Sequence, residues 1–150
     1  MDLILWRHAD AEEGGRDLDR KLTAKGRKQA ARVAEWLLAR LPSRYAVLAS
    51  PARRARETAD ALGVRYKIAE RLAPGAAPAD LLEAAGWPSY KGTVVMVGHQ
   101  PDLGRTLAVL LSGADGEWSV KKGALWWLSN RERAGESQVV VRAVVGPEFL

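Results

Sequence analysis

Residues 3–8 are Leu-Ile-Leu-Trp-Arg-His, and residues 94–99 are Val-Val-Met-Val-Gly-His. In each segment four apolar residues lead, through one further residue, to one of the only two histidines of the chain, His8 and His99. Continuous apolar runs of this length predict strands that helices cover on both faces, and such strands pair in parallel. Because open α/β folds bind ligands at the carboxyl ends of parallel strands, both histidines are candidate site residues.

The length and composition of the chain indicate one small enzyme domain, residues 1–150. The chain has no cysteine, which excludes disulfides and thiolate metal sites. The amino terminus leads straight into the first predicted strand, without a signal peptide. No apolar stretch approaches the roughly 20 residues that a membrane-spanning helix needs. We therefore expect a cytoplasmic protein without a membrane partner.

The charge of the chain indicates an anionic partner. Its formal net charge is +5, and a basic surface raises the encounter rate with negative ligands. The six tryptophans stand among apolar residues or alone, and they are not interleaved with lysine and arginine. A base-stacking surface needs that interleaving, so we expect no nucleic-acid partner.

Strand and helix patterns alternate along the chain, which is typical of an α/β layer architecture. The predicted strands cover residues 3–6, 45–49, 66–68, 94–97, 124–128 and 138–145, with a charged turn at 130–135. Thr23 is the predicted N-cap of a first helix that Pro42 ends, and Ser50 and Pro51 are the predicted cap and first residue of a second helix. Further helices are expected at 79–85 and from Pro101. The predicted fold is a single-domain, three-layer α/β/α sandwich with a mostly parallel central sheet.

Cations accompany the histidines at the predicted strand ends. Arg7 precedes His8, and Arg54 lies in the first turn of the second helix, whose free N–H groups favour an anion. A phosphoryl group held by Arg7, Arg54 and His99 would have its charge neutralised while His8 attacks phosphorus in line. Fixed cations would then supply what Mg²⁺ supplies in kinases, so we expect no metal and no cofactor.

Acidic residues are dense in the loop between the first strand and the first helix. They are Asp10, Glu12, Glu13, Asp17 and Asp19. Their spacing does not follow a regular metal-ligand pattern, which favours a solvated loop over a metal site.

Four segments resemble the motifs of the histidine phosphatase superfamily, in the family's order. Leu5-Trp6-Arg7-His8-Ala9 is similar to its Arg-His-Gly motif, and residues 50–59 are similar to its Ser-Pro-x-x-Arg-Ala-x-x-Thr-Ala motif. Residues 97–101 resemble its second histidine motif, and residues 22–30 resemble its Leu-Thr-x-x-Gly helix start. The resemblance implies that His8 is the phosphohistidine-forming nucleophile and that Arg7, Arg54 and His99 form the phosphate pocket. Arg53 and Arg56 do not match the motif and are expected to be solvated.

The compact length points to one branch of this superfamily. Only 45 positions separate Arg54 from His99, whereas larger members carry extra segments there that roof the site. The chain resembles the SixA-type phosphohistidine phosphatases, and residues 19–23 are similar to their Asp-x-x-Leu-Thr segment. An unroofed site should be shallow and open, which suits a phosphorylated protein side chain.

The resemblance leaves several functions open. The favoured substrate is phosphohistidine on a protein, for which a histidine-phosphotransfer domain is one candidate partner. The alternatives are a broad phosphomonoesterase acting on small phosphorylated molecules and a non-catalytic phosphate-binding module.

Two residues depart from the family pattern, and one role has no motif. Ala9 stands where glycine is usual, and Lys21 stands where the SixA branch often has proline. The general acid is left open among Glu70, Asp10 and Asp102. An imidazole leaving group that is already protonated needs such an acid less than an alkoxide does.

The histidines have opposite expected charges. Nearby arginines should lower the pKa of His8 below its ordinary value. His99 is expected to be protonated, as a donor to phosphate, and to set an alkaline limb of the pH profile.

Overall fold

The order of strands and helices follows the alternation expected from the sequence, and the computed structural model describes all 150 residues. The strands are β1 (Asp2–Arg7), β2 (Tyr45–Ala49), β3 (Lys67–Ile68), β4 (Thr93–Gly98), β5 (Leu125–Arg133) and β6 (Glu136–Val145). The helices are α1 (Ala24–Leu38), α2 (Arg53–Asp60), α3 (Pro78–Ala85) and α4 (Asp102–Ser112). The strands form one sheet in the order β3-β2-β4-β1-β5-β6.

The sheet is mostly parallel, as predicted. β4 pairs in parallel with both β1 and β2, and β2 pairs in parallel with β3. β5 and β6 form an antiparallel hairpin along the other edge of β1. The carboxyl ends of β1, β2 and β4 therefore meet at one edge of the sheet. His8 directly follows β1 and His99 directly follows β4, so both histidines lie at this edge.

Helices cover both faces of the sheet, which confirms the three-layer prediction. Alternate residues of a strand point to opposite faces, so Ile4 and Trp6 pack with α1 and α2 while Leu3 and Leu5 pack with α3 and α4. All four of these side chains are buried. Continuous apolar strands are what a sheet buried on both faces requires.

The start of α1 is held close to the loop that follows β1. Thr23 is the N-cap, as predicted, and its hydroxyl oxygen accepts a hydrogen bond from the N–H of Gly26 at 2.9 Å. A Cβ on Gly26 would lie 2.0 Å from the carbonyl oxygen of Asp10. Glycine at this position therefore lets the helix contact the backbone two residues beyond His8.

Two local predictions were wrong. The second helix begins at Arg53 rather than at Pro51, and its N-cap is Ala52 rather than Ser50, whose hydroxyl contacts both His99 and the N–H of Ala52. The predicted turn at 130–135 lies mostly within the hairpin, whose strands continue to Arg133 and resume at Glu136. Only Ala134 and Gly135 form the turn, with φ of 53° and 81°. Two successive positive φ values match the right-handed twist of the strands, so a two-residue turn suffices.

The structure contains no helix that is both long enough and apolar enough to cross a membrane.

Candidate active site

The two histidines lie side by side at the carboxyl edge of the sheet. β1 and β4 are parallel neighbours in register, with Arg7 opposite Gly98, and the N–H of His8 donates to the carbonyl of Gly98 at 3.0 Å. The imidazole centroids are 5.2 Å apart. Both side chains are nearly buried, with exposed fractions of 6% for His8 and 3% for His99.

The hydrogen bonds of His8 fix its tautomer. Its Nδ1 lies 2.8 Å from the carbonyl oxygen of Ala9, which can only accept, so Nδ1 carries the hydrogen. The guanidinium Nε–H of Arg54 donates to Nε2 of His8 at 3.3 Å. Nε2 is therefore the unprotonated nitrogen, and its lone pair faces the cation. The tautomer with an unprotonated Nε2 is the one that nucleophilic attack by this nitrogen requires.

The Cβ of Ala9 is accommodated although the family pattern has glycine at this position. Ala9 is fully buried among Ala11, Leu22 and Ala30. Its N–H donates to Oγ1 of Thr58 at 3.0 Å, so α2 holds the turn that orients His8.

His99 is oriented by Ser50, which directly follows the neighbouring strand β2. Nε2 of His99 and Oγ of Ser50 are 2.7 Å apart, and the same Oγ accepts a hydrogen bond from the N–H of Ala52 at 3.2 Å. Because the hydroxyl hydrogen of this buried serine has no other acceptor, Ser50 donates to Nε2 of His99. The hydrogen of the neutral His99 ring is then on Nδ1, which has no hydrogen-bond partner in the protein.

Arg54 enters the site from the first turn of α2. Its side chain is buried, and Thr58 anchors this turn by donating to the Arg54 carbonyl at 2.8 Å. Beyond its contact with His8, the guanidinium donates from Nη1 to the Asp17 carbonyl at 2.8 Å and from Nη2 to the Asp17 carboxylate at 3.3 Å. Arg53 is exposed and pairs with Glu57 at 3.4 Å, so the motif register that selects Arg54 matches the geometry.

Arg7 is held from a distant part of the chain. Its Nη1 donates to the carbonyl of Val120 at 2.8 Å, while its Nε is buried without a partner. The same segment accepts the indole N–H of Trp6 on the carbonyl of Gly123 at 2.9 Å. Residues 120–123 therefore support the end of β1 through two side-chain hydrogen bonds.

Burial and positive charge keep both histidines neutral. Desolvation, followed by the charges of Arg54 and Arg7, lowers the pKa of His8 to about 4, in the predicted direction. Desolvation and the neighbouring His8 and Arg54 lower the pKa of His99 to about 3. The expectation of a protonated His99 was therefore wrong for the free protein, because burial outweighs the advantage of a charged donor. His99 can still donate to an anion through its neutral Nδ1–H.

Two unpartnered donors mark the site as an anion pocket. Three buried side-chain polar atoms in the structure have no hydrogen-bond partner, and two of them are Nε of Arg7 and Nδ1 of His99. Buried donors are nearly always paired, so unpaired ones need an explanation. A phosphoryl group offers several acceptor oxygens and negative charge, which these donors and Arg54 match.

None of the three candidate general acids forms a hydrogen bond or an ion pair with Arg7, His8, Arg54 or His99. The Asp10 carboxylate is bound by the Thr23 hydroxyl at 2.8 Å and by Nζ of Lys122 at 3.0 Å, and these partners lower its pKa. Asp102 is buried, and its Oδ2 accepts hydrogen bonds from the N–H groups of Gly75 and Ala76. These two bonds hold the Asp102 carboxylate against residues 75–76. Glu70 is exposed and makes no hydrogen bond or ion pair with the pocket residues.

Sequence reasoning missed Asp17, which was expected to be solvated. The residue lies in a 3₁₀ turn, Asp17–Asp19, that packs against α2. Asp17 in this turn covers part of the Arg54 guanidinium. A pairing between an exposed loop acid and a buried arginine has no sequence period, and only the tertiary structure reveals it.

The donors around His8 are suited to an anion, and the structure offers no alternative metal centre elsewhere. No group of three or more His, Cys, Asp or Glu side chains converges in it. The loop acids are instead paired mostly with arginine and lysine, as in the contact of Arg20 with Asp17 at 3.2 Å.

Comparisons with known proteins identify the family. Residues 3–75 match the model of the histidine phosphatase superfamily (branch 1). The uncharacterized protein Rv1276c of Mycobacterium tuberculosis (strain ATCC 25618 / H37Rv) is 38% identical over 115 residues, which cover 73% of this chain and 72% of the relative. The chain therefore belongs to the histidine phosphatase superfamily, a class of phosphatase enzymes.

Solved structures define the type of fold within that family. A structure from Nakamurella multipartitia, described as a candidate phosphohistidine phosphatase SixA, has a TM-score of 0.77 at 28% identity and covers 97% of this chain and 95% of that chain. The protein histidine phosphatase SixA complexed with tungstate has a TM-score of 0.80 at 22% identity, covering 99% of both chains. The fold is thus of the SixA type.

Proposed function

We propose that this protein is a phosphohistidine phosphatase that acts on a phosphorylated protein through a covalent intermediate on His8. The observation that carries the proposal is the convergence of an unprotonated Nε2 of His8 with Arg7, Arg54 and His99, whose free donors match a phosphoryl group. The likeness to the SixA structure from Nakamurella multipartitia, at 28% identity over 97% of this chain, supports the substrate class.

In the first step, Nε2 of His8 attacks phosphorus while the bond from phosphorus to the substrate nitrogen breaks. The electron pair of the broken bond stays on the substrate imidazole. Nδ1–H of His8 remains bound to the Ala9 carbonyl, so the positive charge that forms on the His8 ring is stabilised by that oxygen. Arg54 and Nδ1–H of His99 hold the phosphoryl oxygens as their charge redistributes.

In the second step, water attacks phosphorus and the bond to Nε2 of His8 breaks. The electron pair returns to Nε2, and inorganic phosphate leaves with the proton balance closed by solvent. The lowered pKa of His8 makes its ring a good leaving group here, because burial and the arginines favour the neutral imidazole.

A basic groove supports a protein substrate rather than a small molecule. It has a volume of about 490 Å³ and runs along α1, lined by Lys25, Lys28, Gln29 and Arg32 on one side and Pro147 and Glu148 on the other. None of its three cations forms a salt bridge within the chain. Oε1 of Gln29 also accepts a hydrogen bond from the N–H of Asp10 at 2.9 Å. Asp10 follows His8 by two positions in the chain, so one end of the groove lies near the nucleophile. An acidic partner domain bound there could present a side chain to His8.

Turnover of different substrates tests the proposal. We expect the protein to release phosphate from a phosphohistidine-carrying protein with a higher kcat/KM than from sugar phosphates or phosphoserine. Because side chains supply the positive charge, activity should persist in EDTA, and vanadate should inhibit. Faster turnover of sugar phosphates would favour a broad phosphomonoesterase, absence of all turnover would favour a binding module, and loss on chelation reversed by Mg²⁺ or Mn²⁺ would contradict the mechanism.

Charge reversal tests the groove. Replacing Lys28 and Arg32 with glutamate should raise KM for an acidic phosphoprotein about tenfold or more and weaken its salt dependence, with little change for p-nitrophenyl phosphate. Lys91→Glu is the matched control, because Lys91 precedes β4 at the opposite edge of the sheet. Equal effects of the groove and control substitutions would mean that the groove does not bind the partner.

A further inference from the structure

Asp17 is the only acidic residue that contacts the pocket. Its Oδ2 lies 3.3 Å from Nη2 of Arg54, and its Oδ1 lies 3.2 Å from Nη1 of Arg20. The side chain is 58% exposed, so the carboxylate keeps free acceptor positions toward solvent. The general acids expected from the sequence have no comparable contact.

The position of Asp17 is on the side where a leaving group must depart. In-line displacement places the leaving group opposite the attacking nitrogen. Since the His8 ring is buried and the Asp17 side chain is 58% exposed, a leaving group that departs toward solvent faces Asp17. A single guanidinium, that of Arg54, contacts both Nε2 of His8 and the Asp17 carboxylate, so the two are separated by little more than the width of that group.

We propose that Asp17 makes this site selective for phosphoryl groups bound to nitrogen, because its carboxylate holds the protonated imidazole of a phosphohistidine as that ring leaves. This inference rests on the proposed function and assigns its substrate preference to one side chain. The carboxylate would accept a hydrogen bond from the ring nitrogen that does not carry phosphorus.

The leaving group of a phosphohistidine and that of an oxygen ester differ in the sign of the charge that they carry in the transition state. A phosphohistidine ring reacts when its second nitrogen is protonated, and the ring enters the site with that proton. When the bond from nitrogen to phosphorus breaks, the electron pair neutralises the ring, which departs as imidazole with the proton still attached. The ring keeps part of its positive charge in the transition state, and a carboxylate stabilises it. An oxygen ester leaves with negative charge and needs a proton donor instead.

Asp17 is suited to the first role and unsuited to the second. Burial alone would raise its pKa, but hydrogen bonds and charge from Arg20 and Arg54 outweigh that effect and hold the pKa below its usual range. The group is therefore an ionised acceptor at neutral pH and has no proton to give to an alkoxide.

The test compares two substitutions on two substrates. Asp17→Asn removes the charge and keeps the shape, and Asp19→Asn is the matched control in the same turn, where Asp19 faces only Arg16 at 3.9 Å. The substrates are a phosphohistidine peptide and p-nitrophenyl phosphate, whose leaving group is an oxygen anion. We expect Asp17→Asn to lower kcat/KM for phosphohistidine about tenfold, the loss of one charge-assisted hydrogen bond. For p-nitrophenyl phosphate, kcat/KM should fall clearly less or rise, because Arg54 loses a competing anion.

Each outcome decides the inference. The ratio of the two kcat/KM values should fall in Asp17→Asn, stay unchanged in Asp19→Asn, and recover in Asp17→Glu. Equal losses on both substrates would assign Asp17 a structural role, and unchanged turnover of phosphohistidine would remove its role altogether. Either result overturns the role of Asp17 while leaving the proposed function intact. A wild-type protein that fails to hydrolyse phosphohistidine would instead overturn the proposed function, and this inference with it.

Discussion

The polar groups at the two ends of β1 differ in whether they have hydrogen-bond partners of opposite charge within the protein. At the amino end, the Asp2 carboxylate accepts hydrogen bonds from the indole of Trp127 at 2.8 Å, from the hydroxyl of Ser129 at 2.7 Å and from Arg142 at 2.5 Å. The charge is matched by a cation, and the contacts join β1 to both strands of the hairpin. Both carboxylate oxygens of Asp2 have partners within the protein.

At the carboxyl end, like charges face one another and donors lack partners. Arg7 and Arg54 are close enough for each to affect the pKa of His8, and Nδ1 of His99 and Nε of Arg7 are buried without acceptors. A buried unsatisfied polar group costs about 1–3 kcal/mol. The amino end thus stabilises the fold, whereas the carboxyl end is unfavourable in the folded protein and becomes favourable when an anion binds.

The largest expected effect is at the carboxyl end. His8→Ala should abolish the covalent intermediate and essentially all turnover, because the unprotonated Nε2 of the other pocket histidine, His99, is bound to the Ser50 hydroxyl. Trapping radiolabelled phosphate on the protein checks this, with His99→Ala as a control that keeps the nucleophile. A phosphorylated His8→Ala protein would mean that the nucleophile is elsewhere.

The next effect separates two adjacent arginines. Arg54→Ala should lower kcat about a hundredfold or more, the scale of losing one preorganised charge-stabilising donor. Arg53→Ala should have only a mild effect, since Arg53 is exposed and pairs with Glu57. Steady-state kinetics on both variants measure the difference. If Arg53→Ala were inactive and Arg54→Ala active, the register of the motif would be wrong.

Much of this contrast could be predicted from the sequence, by two different routes. Apolar runs of four residues before each histidine placed both at the same sheet edge, because such runs are local and typical of buried parallel strands. The resemblance of residues 50–59 to the family motif selected Arg54 over Arg53. Patterns of this kind could not show which carboxylates are already paired.

The errors concern contacts between residues far apart in the chain. Asp10 was a candidate acid until Lys122, 112 positions later, proved to bind it. His99 was expected to be charged as a donor to phosphate, and the burial that lowers its pKa follows only from the packed structure. Asp17 was expected to be solvated because nothing in the loop sequence signals its pairing with Arg54.

The pH profile tests the electrostatics of the carboxyl end. His8 attacks only when neutral, and its pKa is lowered to about 4 by burial first and then by the charge of Arg54 and Arg7. With a substrate that does not titrate, kcat/KM should rise with pH and level off by about pH 5, with no alkaline limb from His99. NMR titration of the only two imidazoles checks the cause. Arg54→Gln should raise the pKa of His8, and Arg53→Gln should leave it unchanged. A midpoint above 6.5 in the wild type would contradict the neutral, buried His8.

The smallest effect is at the amino end and concerns stability alone. Asp2→Asn removes the charge that Arg142 pairs with and one acceptor position, so we expect a loss of about 1–2 kcal/mol in unfolding free energy with kcat unchanged. Asp115→Asn, at an exposed position, is the control.

Burial would raise the pKa of Asp2, but hydrogen bonds from Trp127, Ser129 and Arg142 lower it overall. Its contribution is therefore present above the unfolded pKa near 3.8 and is lost as the pH falls through the lower folded value. Urea unfolding at pH 7 and at successively lower pH should show the wild type and Asp2→Asn converging in acid. A variant that lost turnover while keeping its stability would mean that the two ends of β1 are not separate in function.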